Sequence, residues 1–243
     1  MPTLRLLCAG AAQGLVKALQ ERVCVASGAE LQGRFGAVGA MKELLLAGEA
    51  CDVFVTTSSM VGALMAEGRL QAGTAATLGS VRTGIAVRTA DARPDVTTPA
   101  ALQAALLAAD TIHFPDAVRS TAGIHFAKVM RELGVYEPLE SRLRTYPNGA
   151  TAMRELAASR EACVIGCTQV TEINYTEGVV LLGALPERFE LATVYGAAIV
   201  SDATQPGLAR DFIALLAGPE SLLQRRASGF EGMAIKPGDT LEF

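Results

Sequence analysis

The chain contains no tryptophan, and aromatic residues fill only 5% of its 243 positions. Single-stranded nucleic acids are held by aromatic platforms set among basic residues. This sequence has neither a Lys/Arg run nor a net positive charge, its formal net charge being −4. Nucleic acid is therefore excluded as the main partner. No apolar run reaches the ~18 residues that a membrane span requires, so no membrane insertion is expected. The five cysteines (Cys8, Cys24, Cys51, Cys163, Cys167) are odd in number, irregularly spaced and free of any C-x-x-C pair. That suits small buried thiols in a reducing compartment better than a disulfide framework. With only two histidines and no ligand spacing, no metal site is expected. The G-x-S-x-G, H-E-x-x-H and phosphate-loop motifs are absent too, and no cofactor is expected.

What is present is apolar residues, half of the chain, arranged as alternating strands and helices. Leu4–Ala9, Glu30–Phe35 and Cys51–Thr56 read as strands. Helices Gln13–Gln20, Met41–Ala47 and Ser58–Glu67 lie between and after them. A second set follows, with strands Val81–Arg88, Thr111–Phe114, Leu143–Tyr146 and Cys163–Cys167. Its helices are Thr98–Ala108, Thr121–Leu133 and Ala150–Ala158. Leu191–Val200 is a long apolar strand, and helices Leu208–Leu216 and Glu220–Ser228 close the chain. Short strands buried on both faces predict an α/β fold with mainly parallel sheets flanked by helices. Two long strands and no Pro/Gly/Ser linker predict two lobes that the chain crosses between twice, 1–82 with 196–243 and 83–195.

Ligands of such sheets bind beyond the carboxyl ends of strands, and a cleft between lobes is a favoured place. In Phe35-Gly-Ala-Val-Gly-Ala-Met-Lys42 a helix is expected to begin near Ala40. Its small residues leave N–H donors open at a helix start, suited to an anion. Val38, Gly39 and Lys42 are the candidates there. Gly10-Ala11-Ala12-Gln13 offers backbone donors and an amide, or merely a tight turn. In Thr56-Thr57-Ser58-Ser59 one hydroxyl caps the next helix and a second, Thr57 among them, is left for a ligand. Ser120, Thr121 and Ala122 open one helix and Ala150 another, with Arg82 or Arg119 able to pair a carboxylate. Thr168 and Gln169 end a buried strand, and Glu172 follows one turn on. His125, in the first turn of a helix, is a candidate base or a solvent-facing side chain; His113 reads as packed.

The order of these motifs resembles the periplasmic molybdate-binding proteins and their wider class of two-lobed solute-binding proteins. The resemblance runs through Leu6-Leu-Cys-Ala-Gly-Ala-Ala12, Phe35-Gly-Ala-Val-Gly39, Ala47-Gly-Glu-Ala-Cys-Asp-Val-Phe54, Thr121-Ala-Gly123 and Cys163–Gln169. It implies the solute-binding-protein fold with two crossover strands, a small anionic ligand, and an ABC importer as partner if the protein is exported. It also implies backbone donors at Ala122 and Ala150. Ala12 and Val38 stand where the family places serine hydroxyls, and Gly166 where it places a tyrosine. Losing those donors while keeping the loops points to an organic carboxylate rather than molybdate. The chain is also similar to members of that class recruited as isomerases of unsaturated tricarboxylates such as aconitate, with His125, Glu172, Lys42 or Tyr195 as possible bases. Met1–Cys8 reads as a strand rather than a leader, so a cytoplasmic protein is expected, or a periplasmic one whose signal peptide has been removed.

Overall fold

The computed structural model describes residues 2–232. In chain order its first elements are β1 (Thr3–Ala9), α1 (Gln13–Ser27), β2 (Glu30–Gly36), α2 (Val38–Leu46), β3 (Val53–Thr57), α3 (Ser58–Ala66) and β4 (Ala76–Arg88). Then come α4 (Pro99–Ala108), β5 (Thr111–Pro115), α5 (Thr121–Glu132), β6 (Leu143–Tyr146), α6 (Gly149–Ala158), β7 (Val164–Gln169) and α7 (Val170–Tyr175). The last are β8 (Val179–Ala184), β9 (Ala192–Ile199), α8 (Pro206–Ala217) and α9 (Leu222–Ser228).

The chain forms two compact units. The first gathers the residues up to Phe35, Met41–Val81 and those from Thr193 on; the second gathers Gly36–Ala40 and Arg82–Ala192. β4 and β9 carry the chain between them, as two long apolar strands should. Gly36–Ala40, placed in the first lobe by the sequence pattern, belongs with the second unit. There the Gly39 N–H donates to the Arg119 carbonyl at 3.0 Å.

In the first unit β1 lies parallel to β3, and β3 runs antiparallel to β9. β3 is buried along its whole length, hence its unbroken apolar run. Asp52, just before it, is a buried cap. One carboxylate oxygen accepts from the Thr204 and Gln205 amides at 2.7 and 3.0 Å, the other from Arg5 N–H at 2.9 Å. The Asp of the Asp-Val-Phe run thus fixes the start of α8. α1 runs to Ser27, past the expected Gln20, and stops at Gly28, whose φ of +63° is a left-handed C-cap.

In the second unit β5 lies parallel to both β6 and β7, while β4 runs antiparallel to β7 and β8. On one face Ile85, Ile112, Phe114, Ile165 and Cys167 pack with Phe126, Ala127 and Met130 of α5. On the other, Ala86 and Val164 pack with Ala152, Met153 and Leu156 of α6. α5 and α6 therefore cover opposite faces of one sheet. Each begins at the carboxyl ends of its strands.

Candidate functional site

In the first unit the candidates are backbone and hydroxyl groups. Ala11 and Ala12 are buried in a 3₁₀ turn, Gly10–Ala12, and Gln13, half-buried, opens α1. Thr57 caps α3, its hydroxyl accepting from Met60 N–H at 3.3 Å and standing 3.2 Å from the Ser59 hydroxyl. The Thr56 hydroxyl is buried without a partner among the described residues. Lys42 is half-buried on α2. Tyr195 is buried, edge-on to Phe230.

Val38 and Gly39 lie in the second unit. α2 begins at Val38 rather than near Ala40, so Gly39 falls in its first turn. Its amide is taken by Arg119, which removes one of the donors expected there. Arg82 pairs with Glu190 at 3.6 Å.

The chemistry of the second unit concentrates at two helix starts. At α5 the Ser120 hydroxyl accepts, at 3.5 Å, from the Gly123 amide. The Ser120 carbonyl takes the Ile124 amide. Among the described residues, the amides of Thr121 and Ala122 have no partner, as expected for a first turn. Gly123 is required: a Cβ there would run into the carbonyl oxygens of Pro115 and Asp116. That contact holds the first turn of α5 against the end of β5.

Gln169 is buried at the end of β7, and neither its amide nitrogen nor its oxygen has a partner among the described residues. Its register partner across β4, Thr83, has a buried hydroxyl in the same condition. Both face the side occupied by Ile85, Cys167 and α5. Three polar atoms are therefore unsatisfied at one place, each costing ~1–3 kcal/mol. Thr83 was not foreseen. Its only trace in the sequence is a polar residue inside an apolar strand.

The start of α6 differs. Asn148 caps it, its side-chain oxygen accepting from Thr151 N–H at 2.8 Å. The carboxyl of Glu172 is buried beside Gly149 at this helix start. Thr168 adds its hydroxyl at 2.5 Å. A Cβ on Gly149 would overlap Thr168 Oγ1 and Glu172 Oε2. Burial raises the Glu172 pKa above the usual carboxyl value, opposed by the Thr168 hydroxyl and by the nearby backbone of Ala150, Gln169 and Gly149.

His125 is half-buried, with Nε2 at 2.7 Å from the Phe189 carbonyl; since a carbonyl only accepts, Nε2 carries the proton. His113 is packed, as expected. Its Nε2 lies 3.1 Å from the Thr111 hydroxyl and its Nδ1 3.1 Å from the Tyr146 hydroxyl. Burial lowers its pKa from 6.5 to about 4. All five cysteines are free thiols. Among the described residues no three His, Cys, Asp or Glu side chains are grouped to hold a metal ion. No described helix is long and apolar enough to cross a membrane.

A family model described as a bacterial extracellular solute-binding protein matches residues 4–231. An aconitate isomerase from a Pseudomonas species is 23% identical over 241 residues, 97% of this chain and 90% of the relative. The periplasmic molybdate-binding protein of Azotobacter vinelandii superposes with a TM-score of 0.77 at 16% identity, covering 94% of this chain and 98% of that one. The sulfate-binding protein of Mycobacterium tuberculosis does so with a TM-score of 0.73 at 13% identity, covering 97% and 88%. At these identities the two structures speak for the fold.

Proposed function

The chain belongs to the bacterial extracellular solute-binding proteins, and we propose that its solute is a small organic carboxylate rather than molybdate. The observation that carries this reading is the buried Gln169–Thr83 pair, three polar atoms without a partner among the described residues on the sheet face that α5 covers, together with the open Thr121 and Ala122 amides at the start of that helix. A helix N-terminus favours negative charge. The Gln169 amide adds an unmet donor and an unmet acceptor, and Thr83 a hydroxyl. A tetrahedral oxyanion that only accepts would leave the Gln169 oxygen bare. A carboxylate that also bears a hydroxyl or protonated carboxyl group satisfies both. The valine at position 38, in place of a hydroxyl donor, agrees with an apolar ligand body. In this reading the protein works outside the cytoplasm, as the family description has it, and hands its solute to an ABC importer.

A thermal-shift series with citrate, cis- and trans-aconitate, malate, molybdate, tungstate and sulfate tests it. One of the organic acids should raise Tm by several degrees at saturation, by mass action. Stabilisation by micromolar molybdate, with none by the organic acids, would refute the carboxylate reading.

The aconitate isomerase relative favours a second reading, in which the same site moves a proton. A base would take a proton from the methylene carbon of aconitate, and one would return at the far end of the shifted double bond. His125 offers Nδ1 for this, its Nε2 being committed to Phe189; Glu172 offers a carboxyl of raised pKa. Proton NMR of cis-aconitate incubated with the protein in D2O decides. Appearance of the trans isomer carrying deuterium establishes the enzyme, and tight binding without conversion leaves a receptor.

A further inference from the structure

We infer that the first unit carries a further binding site, for a small arylalkyl cation, in a cavity of about 240 Å³ between α1 and α8. It is independent of the solute proposed above. Leu4 opens β1 and Ala29 immediately precedes β2, so the cavity lies at the amino edge of this sheet, the opposite end of β1 from Ala11 and Ala12. Leu208, Phe212 and Leu215 recur at i, i+4 and i+7 on one face of α8. Val23 and Ala26 line the other wall from the last turns of α1, and Leu4 belongs to the floor. α1 ends in the small residues Ala26 and Ser27, with Ala29 just past its Gly28 cap. The two helices therefore leave a hollow where bulkier side chains would interlock. Leu4, Val23, Ala29 and Phe212 are buried, whereas Arg22, Asp211 and Glu220 are exposed, so an apolar floor lies under a charged rim.

Size and charge select the ligand. A cavity of ~150 Å³ holds benzene, so one of about 240 Å³ admits an aromatic ring with a short arm. The rim carries one guanidinium, Arg22, and two carboxylates, Asp211 and Glu220. Arg22 is committed, donating to the Glu220 carboxylate at 3.0 Å and to the Glu220 carbonyl at 3.3 Å. Asp211 has no hydrogen bond or ion pair among the described residues. An anionic headgroup would have to take Arg22 from Glu220 and would then face both carboxylates. A cationic headgroup meets Asp211 with nothing displaced. A purely packing account, in which the hollow holds only water, explains the small residues of α1 but gives no choice of charge.

Amide NMR titrations of the wild-type protein decide, with 2-phenylethylammonium as the probe and phenylacetate as a similar body of opposite charge. The amine should move the Val23, Ala29 and Phe212 signals saturably, with a Kd of about 1 mM. Phenylacetate should bind the same place at least about fivefold more weakly. Two variants at exposed positions sharpen the result without touching the floor. Asp211→Asn should weaken the amine about threefold. Ala26→Phe fills the hollow and should abolish binding while Tm stays within about 1 °C of the wild type. No saturable movement at ~20 mM amine would overturn the proposal, and so would shifts confined to residues outside the hollow. Phenylacetate binding as tightly as the amine, or amine binding that survives Ala26→Phe, would overturn it as well.

Discussion

Two helix starts of the second unit look alike in sequence and differ in use. Ser120-Thr-Ala-Gly123 and Asn148-Gly-Ala-Thr151 each put a capping side chain ahead of small residues, and each contains a glycine wedged where no Cβ fits. At α5 the glycine is pressed against two backbone carbonyls, and the freed amides have no internal acceptor among the described residues. At α6 the glycine is pressed against Glu172 and Thr168, so that a buried carboxyl stands at the helix start. A helix start is an anion site only if the fold leaves it empty. Here a residue far along the chain decides that.

The largest effect expected from this contrast is on the glycines. Gly123→Ala pushes against backbone that cannot move aside and should cost ~3 kcal/mol, read as a lowered urea midpoint. Gly149→Ala pushes against side chains and should cost less, about 2 kcal/mol, because Glu172 can be displaced. The reverse order would mean that the α6 nest is the more rigid of the two.

Next comes Gln169→Leu. It deletes two unsatisfied atoms, so the free protein should keep its stability or gain a little, while affinity for the organic acid falls about tenfold. Equal losses of stability and affinity would make Gln169 an ordinary core residue and dissolve the α5 site.

A subtler difference is titration. Glu172 has a folded pKa above its unfolded one, so the folded state holds the proton longer and stability drains away as pH rises from ~4.3 through the raised value. Glu172→Gln should lose that slope relative to the wild type. His113 works in the opposite sense: its pKa is lowered from 6.5 to about 4, so its contribution is complete above 6.5 and fades as pH falls toward 4. Urea midpoints across pH 4 to 8 for the wild type, Glu172→Gln and His113→Asn separate the two. A Glu172→Gln curve parallel to the wild type would show that the carboxyl does not titrate within the fold.

Much of this fold could be read from the sequence because its strongest signals are local. Thr111–Phe114 and Leu143–Tyr146 were expected as strands and Thr121–Leu133 as a helix; they appear as Thr111–Pro115, Leu143–Tyr146 and Thr121–Glu132. Helix starts were legible wherever a hydroxyl or amide preceded them, as at Thr57, Thr98, Ser120 and Asn148. α2 began earlier than expected because a first turn needs no intrahelical N–H bond and so tolerates glycine.

What escaped the sequence depends on contacts between distant residues. Glu172 was named as a possible base, yet its spacing from Gly149 says nothing of their meeting; that follows from α6 lying on β7. The Asp52 carboxylate reaches Thr204 and Gln205, and no local pattern announces a cap so remote. Thr83 and Gln169 meet only through the antiparallel register of β4 and β7.

The most direct test of the central contrast is an amide NMR titration of the wild-type protein with citrate and with trans-aconitate. The account predicts that the Thr121 and Ala122 amides and the Gln169 side-chain NH2 move with added ligand while Gly149 and Ala150 stay in place. Movement of Gly149 and Ala150 with Thr121 and Ala122 unchanged would contradict it.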